Sequence, residues 1–168
     1  MTIEPFNTER SKLTEQNIGE IFRICSDNPA YFEHMRETLS VEKLAKLLTS
    51  IPPGADLANK KNIGFRQQGR LVGYLELIES FPYSDHVLIG FFIVEKAMQG
   101  RGLGSAIINS VLAKYAASGF KTAILSHART DEKATAFGLK NRFVATGELD
   151  AYEDIELVVM ARNLAALA

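Results

Sequence analysis

Three glycines in five positions, Gly100, Gly102 and Gly104, stand in the run "QGRGLG", between the apolar stretch "IGFFIV" and the amphipathic stretch "SAIINSVLAKY". Glycine loses more backbone freedom on folding than any other residue, so such a cluster needs a reason. A strand that turns abruptly into a helix leaves the first helical N–H groups without intrahelical partners. Positions without side chains let those donors approach a ligand closely, and the positive end of the helix dipole favours an anion there. The run therefore reads as a phosphate cradle. From Lys96 to Arg129 the sequence contains no Asp or Glu, while Lys96, Arg101, Lys114, Lys121 and Arg129 are basic. An acid-free, weakly basic stretch suits a ligand with several negative charges.

Other glycine-rich ligand loops fit less well. A Walker loop places Gly-Lys-Ser/Thr at its end, whereas Ser105 and Ala106 follow Gly104. A dinucleotide fingerprint needs G-x-G-x-x-G with an acid about 20 residues on, and here the spacing is G-x-G-x-G with no acid downstream. The plain alternative is that the glycines only shape a tight turn for close helix packing.

The elements that position this loop follow from periodicity. "LTEQNIGEIFRIC" reads as a helix capped by Thr14, with Ile18, Ile21, Phe22 and Cys25 on one face. Two short helices open near Pro29 and Ser40, and Pro52, Pro53 and Gly54 end the second. "KNIGFRQ", "RLVGYLELIES" and "HVLIGFFIV" read as an antiparallel meander with turns at Gln68-Gly69 and around Pro82 to Asp85. A helix from Gly104 to Ser118, the strand "KTAILSHA", a helix from Asp131 to Lys140 and two closing strands follow. The strand, helix, strand order over residues 87–127 implies a right-handed parallel crossover in an otherwise antiparallel sheet.

The whole chain, 168 residues with 46% hydrophobic content and a net charge of -1, is long enough to bury one core and too balanced for a general nucleic-acid binder. One domain over 1–168 is expected, with 1–60 mainly helical and 61–164 carrying the sheet. No window approaches the roughly 20 apolar residues of a membrane span, and the start lacks a signal peptide, so a cytoplasmic protein is expected. Cys25, the single cysteine, sits in an apolar helical stretch and reads as core. His34, His86 and His127 share no metal-ligand spacing, and no metal is expected.

"QGRGLG" resembles the Q/R-x-x-G-x-G/A signature of the GNAT superfamily of acyl-CoA N-acyltransferases. "DEKATAFGLKNRFVATGE" is similar to its second block, N-x-x-A-x-x-F-Y/W-x-K-x-G-F, and "VVMARNL" to its closing strand. The resemblance covers residues 61–164 and the N-terminal helices only in kind; "NPAYF" and "PPG" resemble elements of a bacterial branch. It implies an α/β (α+β) fold: a mixed, mostly antiparallel sheet of about 6–7 strands flanked by helices, with a V-shaped split between the central parallel strands. It implies acetyl-CoA as cosubstrate and an amine as acceptor, with a homodimer left open. The backbone of Gln99, Gly100, Arg101, Gly102, Leu103 and Gly104, with Ser105, would hold the pyrophosphate. The strand residues Phe92, Ile93 and Val94 would carry the pantetheine arm, with Phe92 and Val94 pairing to it. Asp131 stands where the family often has a cofactor-touching Asn. Gly138 stands where a Tyr general acid is common, and Arg142 where glycine is usual, so a tyrosine-acid mechanism does not carry over.

Acetyl transfer to an amine needs the neutral amine, yet a free alkyl amine has a pKa of about 10.4, so a base is required. The carboxylates on the strand "RLVGYLELIES" are Glu76 and Glu79, on opposite faces by alternation. Glu76, flanked by Tyr74 and Ile78, is the candidate base, against a merely solvated strand face. His127, which closes the strand after the helix, is the second candidate, against a satisfied structural histidine. A thiol with a pKa near 8.5 leaves as thiolate without an obligatory acid, so direct transfer without an acyl-enzyme is expected. The competing readings are an acyl-CoA-binding module without catalysis and, more remotely, a nucleotide-binding protein. "NPAYFEHMRETL", the "SFPYSDH" turn and the "LDAYED" loop are expected to rim the acceptor side.

Overall fold

The structure, a computed structural model, describes residues 3–167; Met1, Thr2 and Ala168, the ends of the expected domain, lie outside them. Among the described residues eight strands form one sheet in the order β1-β2-β3-β4-β5-β6-β8-β7. They are β1 (Ile3–Glu4), β2 (Thr8–Lys12), β3 (Lys60–Gln67), β4 (Arg70–Glu79), β5 (His86–Val94), β6 (Thr122–Ala128), β7 (Val144–Tyr152) and β8 (Ile155–Asn163). The helices are α1 (Ile18–Ser26), α2 (Pro29–His34), α3 (Val41–Thr49), α4 (Leu103–Ala117) and α5 (Glu132–Lys140). This is the expected mixed sheet, with β5 and β6 its parallel pair.

Local chemistry accounts for the element ends. Thr14 and Asn17 make a reciprocal capping box on the single 3-10 turn that leads into α1. Ser40 accepts from Lys43 N at 3.1 Å and starts α3. Gln68 and Gly69 both have positive φ, 51° and 82°, as the two-residue turn between β3 and β4 requires. The region before residue 60 is not purely helical, because β1 and β2 add to the sheet edge. "TERSK" has no apolar alternation; its extended form comes from pairing with β3, with Arg10 opposite Phe65.

The sheet buries both faces. On one, α4 and α5 cover Leu75, Leu77, Val87, Ile89, Val94 and Met160. On the other, α1, α2 and α3 cover Leu71, Tyr74, Phe91 and Ile93. Cys25 is fully buried in this second cluster, and burial pushes its thiol up to about 12. Among the described residues no helix is long and apolar enough to cross a membrane.

The split follows from where pairing stops. β5 and β6 pair from His86–Thr122 to Ile89–Leu125 and no further, while β5 runs on to Val94 and β6 to Ala128. At the same point the β4–β5 register shifts: Glu76 pairs with Phe91 and Leu77 with Ile89, leaving Gly90 as the extra residue of a bulge. The bulge inverts the alternation, so that Val87 and Ile89 share a face with Phe92 and Val94 rather than with Phe91 and Ile93. A Cβ at Gly90 would overlap the buried Glu76 carboxylate. Gly90→Ala is expected to cost about 2 kcal/mol by overpacking, which lowers Tm by roughly 4–8 °C in a chain of this size, as calorimetry would show.

The turn "SFPYSDH" lies at the other end of β5 from the split. Asp85 O accepts from Lys121 N at 2.8 Å and Thr122 N at 3.3 Å, where β5 and β6 are still paired. The expectation that this turn rims the acceptor side is therefore corrected: a hairpin closing β4 onto β5 sits where β5 begins, and the strands diverge where it ends.

Candidate active site

The glycine loop is built by backbone conformation. Gly100 and Gly102 have φ of 75° and 87°, and a Cβ on either would meet nothing within 4 Å. They are there for conformation and open space, not for packing. Gly102 is the N-cap of α4 and has no side chain to satisfy the helix, whose first carbonyl bond runs from Ala106 N to Gly102 O at 3.0 Å. The N–H groups of Leu103, Gly104 and Ser105 thus precede the helical ladder. Gly104 has a different reason: its Cβ would lie 3.4 Å from the Phe137 ring and 3.7 Å from that of Phe92. Lys96 and Arg101 are exposed beside the loop. A cradle of unbonded helical donors and open space, in a stretch without Asp or Glu from Lys96 to Arg129, fits a pyrophosphate.

Two sets of side chains fix the loop to the first helices. Glu95, at the end of β5, accepts from Arg23 Nη1 at 2.5 Å and from Arg70, and Arg23 Nη2 donates to Leu71 O at 2.7 Å. The Arg70 and Arg23 guanidinium groups hold the Glu95 carboxyl below the usual carboxylate range. Gln99 Nε2 donates to Asn28 Oδ1 at 2.6 Å and to Val94 O at 2.8 Å, and Asn28 Nδ2 reaches Val94 O at 3.3 Å. Gln99 thus closes the loop on itself with its side chain.

The same bonds show which way β5 faces the split. Val94 O receives side chains outside the β4 ladder, whereas Glu95 N donates to Val72 O across it at 2.8 Å. Alternation then turns the polar groups of Phe92 and Val94 toward the gap and those of Ile93 toward β4. Ile93 is buried in the cluster under α1.

Glu76 lies against Gly90, where the split begins, and is 4% exposed. Its Oε1 is 3.2 Å from Lys60 Nζ, which also donates to Leu47 O at 2.6 Å and Ser50 O at 2.5 Å. Desolvation raises the Glu76 pKa, and Lys60 opposes that rise without cancelling it. Tyr31, from α2, stacks edge-on against Phe91 with centroids 5.0 Å apart. Its hydroxyl is pushed up to about 12, by burial first and then by the Glu76 charge, so it keeps its proton.

His127 faces the α5 side of β6 and is 9% exposed. Its Nδ1 lies 2.8 Å from Ala128 O, which only accepts, so Nδ1 carries the proton and Nε2 can accept from Thr135 Oγ1 at 3.3 Å. Asp131 caps α5 by accepting from Ala134 N at 3.1 Å and lies 4.0 Å from His34 Nε2. His34 Nδ1 is 2.8 Å from Thr130 Oγ1, and Arg36 pairs with Asp154 at 2.6 Å. The "NPAYFEHMRETL" segment thereby touches both the β6–α5 loop and the "LDAYED" hairpin at the open end of the split. Gly138 is a packing position, since a Cβ there would lie 2.7 Å from Met160 Sδ. Among the described residues no group of three His, Cys, Asp or Glu side chains could hold a metal ion.

The roles of three of these residues escaped the sequence reading. Gly90 carried a signal, because an isolated glycine inside a strand marks a bulge. Lys60 carried none, and Asn28 was read only as part of "NPAYF": each acts on a partner far away in sequence.

Residues 21–140 match the family model described as the acetyltransferase (GNAT) family. No curated protein matches the chain in sequence. Solved structures share the fold at low identity. An acetyltransferase from Thermus thermophilus has a TM-score of 0.72 at 18% identity, covering 95% of this chain and 99% of its own. A spermidine N-acetyltransferase chimera with Vibrio cholerae sequence has a TM-score of 0.71 at 18% identity, covering 95% and 97%. An N-acetyltransferase from Thermoplasma acidophilum in complex with coenzyme A has a TM-score of 0.66 at 14% identity, covering 93% and 98%.

Proposed function

Because the chain belongs to the GNAT acetyltransferase family, we propose that it transfers an acetyl group from acetyl-CoA directly to a primary amine of a small molecule or peptide. The observation that supports this most is that three features border the unpaired end of β5: the point where β5–β6 pairing stops, the glycine-capped start of α4 and the buried Glu76.

Bound acetyl-CoA supplies an activated acetyl group as a thioester. The N–H groups from Gly100 to Ser105 would hold its pyrophosphate, while that of Gln99 is already given to Lys96 O at 3.1 Å, and the backbone of Phe92 and Val94 would form the edge for its pantetheine arm. The N–H of Phe92 is the donor placed to steady the developing negative charge on the carbonyl oxygen, a contribution of about 3 kcal/mol for one well-aimed group. Val94 O is already engaged by Gln99 and Asn28, which leaves Phe92 the freer of the two. Asp131 caps α5 and borders the arm without using its second oxygen for the cap.

Glu76 accepts the proton of the incoming ammonium, directly or through one water. Its raised pKa brings it closer to that of the amine and makes it a better base than a solvated carboxylate. Lys60 holds it in place. His127 Nδ1 is engaged by Ala128 O and its Nε2 lies 3.3 Å from Thr135 Oγ1, whose one proton also faces Asp131 O, so the ring ties β6 to α5 and positions the wall of the split. Tyr31, protonated and beside Glu76, offers a hydroxyl that donates and does not take the amine's proton.

The testing experiment is release of coenzyme A thiol from acetyl-CoA on adding members of an amine panel. Release that depends on the amine, with acetyl found on the amine, is the expected result. Tight acetyl-CoA binding with no release across the panel would instead mark a binding module of the same fold.

A further inference from the structure

A second basic site stands apart from the glycine loop. Arg162, on β8, is 3% exposed on the sheet face that otherwise packs Met160 and Leu164 under the helices. A buried charge normally has an opposite charge beside it, because leaving water uncompensated is costly. Arg162 Nη1 donates to the neutral amide oxygen of Asn109 at 2.8 Å, and among the described residues it has no carboxylate partner. Burial and the neighbouring Arg142 both push its pKa down, and among the described residues no carboxylate pulls it back.

Arg162 lines a cavity of about 360 Å³ shared with Ser105, Asn109, Lys140, Asn141 and Arg142. Among the described residues no Asp or Glu lines it, so three cations converge on it without an anion. The amides that complete it are held in fixed orientation. Asn109 Nδ2 donates to Asn141 Oδ1 at 3.1 Å, and Asn141 Nδ2 donates to Ser105 Oγ at 3.1 Å and to Phe137 O at 2.9 Å.

Arg142 adds an independent sign. It follows the cap of α5 with φ of 67°, in the left-handed region, and its N–H closes on Leu139 O at 3.1 Å. Glycine is the residue that this helix-ending conformation favours, and a long side chain there carries a cost of roughly 1–2 kcal/mol. The strained position puts a second guanidinium beside a cavity whose first one, Arg162, faces no carboxylate among the described residues.

We propose that this cavity between α4, α5 and β8 is a phosphate-monoester site, in which Arg162 and Arg142 grip the dianion and Lys140 adds charge. Arginine suits the task because its planar fork matches phosphate oxygens in pairs. Two sources share the chemistry. One is the 3′-phosphate of coenzyme A, since Ser105 belongs both to this cavity and to the glycine loop and Asn109 is one helical turn, about 6 Å, further on; this source rests on the cofactor reading above. The other is a separate phosphorylated ligand bound beside the cofactor.

Titration calorimetry with coenzyme A, dephospho-coenzyme A and inorganic phosphate decides the matter, using the wild type, Arg142→Gly and Arg162→Met. Arg142→Gly relieves strain and is expected to fold. If the source is coenzyme A, the wild type binds it at least about tenfold tighter than the dephospho form. Both variants then bind the two forms equally, with dephospho-coenzyme A unchanged. If the source is separate, coenzyme A and its dephospho form bind alike. Inorganic phosphate then binds and raises Tm in the presence of saturating coenzyme A, and both variants lose that effect. Equal binding of the two coenzyme forms with no phosphate binding, or any of these effects surviving unchanged in Arg142→Gly, overturns the proposal. Should neither coenzyme form bind, the cofactor reading fails, and the phosphate arm alone still decides for or against this site.

Discussion

Gly102→Glu is expected to remove measurable binding of acetyl-CoA while leaving the sheet intact. The position has φ of 87°, which an L residue enters at a cost of about 1–2 kcal/mol, and its Cβ direction is open, so no core contact is disturbed. The glutamate carboxylate would fall among the first N–H groups of α4, occupy the donors meant for the pyrophosphate and repel its charge. These effects act together, and a loss of at least about 100-fold in affinity follows, near 2.7 kcal/mol. Gly102→Ala separates them, since it carries the strain alone and should weaken binding by no more than about tenfold. Calorimetric titration of both variants checks this. Wild-type affinity in Gly102→Glu would reduce "QGRGLG" to a turn.

The second large effect is on rate. Glu76→Gln preserves the side-chain shape but cannot take a proton, and kcat should fall by about 10²- to 10³-fold. The pH dependence carries the sharper test. Burial raises the Glu76 pKa above the ordinary carboxylate range, so in the wild type kcat/KM climbs with pH through that raised value as the base ionises. In Glu76→Gln this limb should vanish. A profile that keeps the limb would move the base elsewhere, with His127 the next residue to substitute.

The sign for stability runs the other way. A group whose folded pKa is raised binds its proton more tightly when folded. Its contribution is whole below the unfolded carboxylate pKa and is lost as pH rises through the folded value. The glutamine variant also leaves the Lys60 ammonium, itself 2% exposed, with two carbonyls and no carboxylate. A loss of about 3 kcal/mol is the scale for a buried pair broken on one side. Rates should therefore be compared well below the variant's own Tm.

Much of the architecture could be read from periodicity and breakers. Gln68-Gly69, Ser40 and Pro29 end or start elements where their chemistry demands, because caps and tight turns act over a few residues. The glycine loop was legible for the same reason. What could not be read depends on partners distant in sequence. β2 becomes a strand through pairing with β3 more than 50 residues later, and Lys60 meets Glu76 only after β3 folds onto β4. The face assignments beyond Gly90 required the bulge, since period-2 alternation fails wherever one residue is inserted. Gly138 and Arg142 were legible as departures, but only the packing on Met160 and a cavity that no described Asp or Glu lines give them physical meaning.

The burial of Cys25 settles a practical matter of measurement. It is the chain's one sulfhydryl, and with its thiol at about 12 and 0% exposure it is closed to electrophiles under native conditions. A disulfide dye or a maleimide added to a working sample would thus colour with the liberated cosubstrate alone. Turnover can be followed continuously, without a cysteine-free variant and without subtracting a protein blank.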